Sequence, residues 1–93
     1  MNTINEVKTP EEWFAQSKVY SEQNDTENAI KCCLMAAEQG HTLAQYEMGD
    51  LCTYGGGGVK TDPAQGFRWY LKAAEQGYAE AQNEVGKCYT RER

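Results

Sequence analysis

The feature that most constrains this chain is a five-residue string that occurs twice. Ala36-Ala37-Glu38-Gln39-Gly40 returns as Ala73-Ala74-Glu75-Gln76-Gly77, an offset of 37 residues. The register holds on both sides of the string. Ala44-Gln45 matches Ala81-Gln82, Glu47 matches Glu84, Gly49 matches Gly86, and Asp25 matches Asp62. A fixed period between roughly 20 and 50 residues is the mark of stacked supersecondary units, each burying its apolar face against the next. A closed globule has no reason to keep such a register.

Each unit reads as two helices. Ala44, Met48 and Cys52 recur at i, i+4 and i+8, one helical face, until Tyr54 and the run Gly55 to Gly58 end the helix. Asp62 can then cap exposed amides, Pro63 suits the first helical position, and Phe67, Tyr70, Leu71 and Ala74 form the next apolar stripe. Gly40 and Gly77 can take the left-handed conformation that closes a helix. The first unit has a shorter connection but keeps the spacing. Ser17 and Tyr20 stand three apart, as do Gly49 and Cys52, and Gly86 and Tyr89; Ala29, Cys33 and Ala36 repeat the spacing of Gly66, Tyr70 and Ala73. A mid-helix glycine such as Gly66 costs about 1 kcal/mol relative to Ala, so its presence points to two helices in close contact.

This pattern predicts helices over 10–22, 26–39, 42–54, 62–76 and 79–90. The fold class is all-α: a short solenoid of two antiparallel helix pairs plus a fifth, terminal helix. Residues 1–9 form an N-terminal extension, 10–40 the first pair, 41–77 the second repeat and 78–93 a terminal half-repeat.

Composition bounds what such a chain can do. With 93 residues it is too short for two ordinary domains and buries roughly 60–65% of its unfolded surface. A content of 40% hydrophobic and 25% charged residues with two prolines belongs to a folding chain. The net charge is −5 and no stretch concentrates the basic residues, which argues against a nucleic-acid partner. Met1 to Thr9 carries one Lys and no apolar run, unlike a secretory signal, and nothing approaches the roughly 20 apolar residues of a membrane span. A membrane partner is not expected, and the chain reads as cytoplasmic.

Cys32, Cys33, Cys52 and Cys88 contain no C-x-x-C pair. Adjacent Cys32 and Cys33 point about 100° apart on a helix, poor geometry for chelating one ion. They read as structural free thiols, with a Cys33–Cys52 disulfide or an unusual metal site as alternatives, and no cofactor is expected.

The run Ala44-Gln45-Tyr46-Glu47-Met48-Gly49, the glycines before Val59, Asp62, and Trp69-Tyr70-Leu71-Lys72-Ala73-Ala74-Glu75-Gln76-Gly77 together resemble a Sel-one-like repeat, a longer-looped relative of the tetratricopeptide repeat. The resemblance covers roughly residues 25–90, and the first pair, with Trp13, Tyr20, Ala29 and Ala36, is closer to an ordinary tetratricopeptide unit. Two departures are visible. Cys52 stands where the family usually has Tyr, and the glycine run is one residue longer than usual. The resemblance implies a right-handed α-solenoid serving as an adaptor or scaffold in protein complexes.

In such a solenoid the first helix of each pair lines a concave surface. The outward face holds Glu11, Phe14, Lys18 and Ser21 on the first helix and Leu43, Tyr46, Asp50 and Thr53 on the third. The fifth adds Glu80, Asn83, Lys87 and Thr90. Aromatic anchors among polar groups suit a peptide or helix groove, with Phe14 and Tyr46 the preferred anchors. Tyr46 can equally pad a helix junction, Trp13 and Trp69 read as packing residues, and Tyr54 reads either as a recognition group or as a loop anchor. The last helix has no following partner before Arg93. Its Val85 and Tyr89 either cap the stack or are covered by another chain, self-association included.

Catalysis finds little support. The single histidine, His41, falls in a surface turn after Gly40, and Val59-Lys60-Thr61 lacks the frame of a phosphate loop. Carboxylates such as Glu11, Glu12, Glu38 and Glu75 read as solvated helix surfaces. The chain therefore reads as a non-catalytic protein–protein interaction module that binds a peptide or protein. The alternatives are a small bacterial inhibitor or immunity-type protein that blocks one toxin or enzyme, and a fragment of a longer repeat scaffold.

Overall fold

The computed structural model describes residues 8–91 apart from 57 and 59, and for residues 88–91 it describes the backbone alone. The readings made for residues 1–7, for Val59, for the side chains of Cys88, Tyr89 and Thr90, and for Glu92 and Arg93 lie outside the described residues. Among the described residues the chain forms α1 (Pro10–Glu22), α2 (Thr26–Glu38), α3 (Thr42–Tyr54), α4 (Pro63–Glu75) and α5 (Ala79–Arg91). The predicted spans agree to within one residue at each end. Asp62, counted inside the fourth helix, stands just outside it as its cap.

The helix starts follow from side chains that satisfy the first amides. At α1 the Glu12 amide donates to Thr9 Oγ1 (3.1 Å) and the Thr9 amide donates to Glu12 Oε1 (2.9 Å), a reciprocal capping box followed by Pro10. The caps of α2 and α4 are the two aspartates at the repeat offset. Asp25 Oδ1 accepts from the Asn28 amide at 3.4 Å, and Asp62 Oδ1 from the Gln65 amide at 3.3 Å.

α1, α2 and α4 end alike. Asn24, Gly40 and Gly77 have φ of 62°, 97° and 92°. The next amide in each case reaches back across the last turn: Asp25 to the Tyr20 carbonyl, His41 to Ala36 and Tyr78 to Ala73. This pattern absorbs carbonyls that the helix leaves unpaired.

Each helix packs mainly on its neighbours in sequence, giving a body of 51 × 26 × 18 Å. One apolar cluster joins Trp13 of α1, Cys32, Cys33, Ala36 and Ala37 of α2, and Ala44 and Met48 of α3, with Trp69 and Leu51 packed against it. Alanines at these positions let the helix axes approach. The α3–α4 crossing is tighter still: a Cβ on Gly49 would lie 2.6 Å from Tyr70 Cδ1, and one on Gly66 would strike the Thr53 side chain and sit 3.0 Å from the Gly49 carbonyl oxygen. Burial on α4 is accordingly deepest along Gly66, Tyr70 and Ala73. The stripe of Phe67, Leu71 and Ala74 is only half-buried, because α3 approaches on the small-residue side.

The repeated glutamines complete the unit. Gln45 Nε2 donates to the Ala37 carbonyl and Gln82 Nε2 to the Ala74 carbonyl, each at 3.1 Å. The duplicated string thus has a physical meaning: alanines for close packing, glycine for closure, and the following Ala-Gln pair to tie each new helix to the end of the last. Among the described residues, no helix is long and apolar enough to cross a membrane.

Candidate functional site

Among the described residues a groove of about 650 Å³ opens between the first and second helix pairs. Its walls are α1, through Ser17, Lys18 and Ser21, and α3, through Tyr46, Glu47, Asp50, Leu51 and Tyr54. Thr26, Ala29, Ile30 and Cys33 of α2 line it as well, and α5 contributes Glu84. The groove exists because α1 and α3 are both first helices of a pair and meet chiefly through long side chains. Lys18 Nζ reaches Glu47 Oε2 at 2.6 Å across the gap, a half-exposed pair that fixes geometry more than it stabilises.

Tyr46 is packed on two sides. Its ring lies 5.5 Å from that of Tyr70 and 5.1 Å, edge-on, from that of Tyr78, which leaves part of it in the groove wall. Behind it, the Tyr70 hydroxyl donates to Asp50 Oδ1. Burial pushes the Asp50 carboxyl above the ordinary carboxylate range; the Tyr70 hydrogen bond opposes this, while Glu84 and Glu47 add to it. Burial also raises the Tyr46 phenol, with further contributions from Asp50 and Glu84. Carboxylates of α3 and α5 therefore face one region of the groove, with a tyrosine between them.

Tyr54, at the end of α3, lines the groove and is 67% exposed. A large aromatic so placed adds nothing to the core.

Of the residues predicted for partner contact, Lys18, Ser21, Tyr46 and Asp50 line this groove. Glu11, Leu43, Asn83 and Lys87 are exposed but lie outside its lining, as does Glu80. Phe14 is half-buried: its ring stacks on that of His41 at 4.5 Å and the Lys18 ammonium sits 4.7 Å above it. Thr53, expected on the open face, instead lies against Gly66 at the α3–α4 crossing. His41 lies in the connection between α2 and α3, as expected, but not as a free surface residue. It is the half-buried N-cap of α3, with Nδ1 accepting the Ala44 amide at 3.1 Å.

Sequence reasoning missed the contribution of α2 to the groove, together with Glu47 and Glu84. The matched glutamates at the repeat offset were the available signal.

Cys32, Cys33 and Cys52 are free thiols, so no Cys33–Cys52 disulfide forms. Burial first, and then Glu47, push Cys33 up to about 12, and burial also raises Cys52. Thiols in that state are protonated at neutral pH and poor nucleophiles. Among the described residues, no group of three or more His, Cys, Asp or Glu side chains is placed to hold a metal ion.

The family model of the Sel1 repeat matches residues 18–41, 42–78 and 79–91. The chain belongs to the Sel1 repeat family. No curated protein and no solved structure matches it. Sel1 repeats are generally protein–protein interaction modules. In this chain the groove lies between the first and second Sel1 repeats and takes Glu84 from the third.

Proposed function

We propose that this Sel1 repeat protein is a non-catalytic adaptor that binds a peptide or protein segment in the groove between α1 and α3. The observation that carries the reading is Tyr54, a 67% exposed aromatic at the edge of a concavity of about 650 Å³ whose other walls include Ile30, Leu51 and Tyr46. Rigid aromatics beside an apolar floor are the common anchors of protein interfaces, and the polar groups at the rim set register. Phe14, already stacked within the fold, serves to hold the Lys18 wall in place. Tyr46 and Tyr54 are the anchors.

The test is affinity capture with the purified chain from its native extract, followed by calorimetry with the captured protein. Tyr54→Ala weakens binding by about 2 kcal/mol, within the range of interface hot spots, and leaves helix content unchanged. Undiminished affinity in both Tyr54→Ala and Tyr46→Ala would place the interface elsewhere.

A further inference from the structure

The chemistry of the groove narrows what can occupy it. Three carboxylates line it: Glu47, Asp50 and Glu84. Among the described lining residues Lys18 is the one cation, and its ammonium is engaged by Glu47 at 2.6 Å. One Asp50 oxygen accepts from Tyr70, and burial with neighbouring carboxylates makes its charge costly without a cation. Glu84 has 17% of its side chain exposed, and its Lys87 contact is a looser 3.4 Å. The cavity thus combines apolar side chains, tyrosines and two carboxylates, Asp50 of α3 and Glu84 of α5, whose charge is incompletely balanced. Such an arrangement repels acidic segments and phosphate, and a cation entering over a tyrosine ring gains from both the ring and the carboxylates.

On the reading that the groove binds a protein segment, we propose that this segment is cationic, with an arginine or lysine side chain laid against Tyr46 and its charge held between Asp50 and Glu84.

The experiment selects random peptides displayed on phage against the intact chain, then measures the best binder by calorimetry. The expected consensus pairs Arg or Lys with an aliphatic or aromatic residue. Its affinity falls by about tenfold or more in the Asp50→Asn/Glu84→Gln double variant, as expected when charges facing a bound cation are removed, and falls further as salt is raised. Asn keeps an acceptor for the Tyr70 hydroxyl, and circular dichroism verifies that the double variant is folded. A neutral or acidic consensus that is lost in Tyr54→Ala would overturn the cationic occupant while leaving the groove as the binding site. Failure to select any peptide sensitive to Tyr46→Ala or Tyr54→Ala would overturn both.

Discussion

Asp50 sits half-buried in the groove wall, with the Tyr70 hydroxyl as donor and with Glu47 and Glu84 in the same electrostatic neighbourhood. Its carboxyl pKa is raised, first by burial, so the folded state keeps this proton to higher pH than the unfolded chain does. The stabilisation linked to that proton is complete below the ordinary carboxylate range and is lost as pH rises through the raised value. At neutral pH the Asp50 charge therefore works against folding. Asp50→Asn, which retains the acceptor for Tyr70, should melt at the same temperature or higher at neutral pH, and the gain should vanish near about pH 3, where the carboxyl is protonated. Thermal melts of both proteins at the two pH values decide it; a lower melting temperature for the variant at neutral pH would contradict the assignment. The placement of Lys18, Tyr46 and Asp50 on one open face was legible, because helical period alone decides it. Readings were less so where a residue's partner comes from another unit. The cap made by His41 sets its ring against Phe14, and no periodicity encodes that contact.

At the level of the helix, one repeat position tests the packing directly. Gly49 and Gly86 are equivalent in sequence, but a Cβ at Gly49 would strike the Tyr70 ring, whereas one at Gly86 meets nothing within 4 Å among the described residues. Helix propensity favours alanine over glycine by about 1 kcal/mol at both sites. Gly86→Ala should therefore stabilise by about 0.5–1 kcal/mol. Gly49→Ala should destabilise by about 1–3 kcal/mol, since overpacking at the crossing outweighs propensity. Urea denaturation of the two variants measures both signs, and a stabilised Gly49→Ala would show that α3 and α4 do not cross there. The helices themselves were legible because caps, glycine closures and apolar period agree along the chain, from Asp25 and Asp62 to Gly40 and Gly77. The small departure on α4 has the same origin as this prediction. The stripe of large residues pointed to Phe67 and Leu71, but α3 approaches where side chains are smallest, along Gly66 and Ala73.

On the scale of the whole molecule, the offset of 37 residues carried the architecture, because a chain of units that each contact the next has few ways to stack. The groove was harder to foresee. Its position depends on how α1 and α3 sit beside each other, a relation between units that Lys18 and Glu47 bridge and no periodicity encodes. Residues of α2 such as Ile30 enter the lining only because the gap leaves them uncovered. On the proposed function, a partner docks in this gap between the first and second Sel1 repeats. The most direct measurement is an amide chemical-shift map of the chain titrated with its captured partner. The largest changes should cluster on Lys18, Ser21, Ile30, Tyr46, Asp50, Tyr54 and Glu84; changes concentrated on the outer face of α4, with these amides unmoved, would contradict docking in the groove.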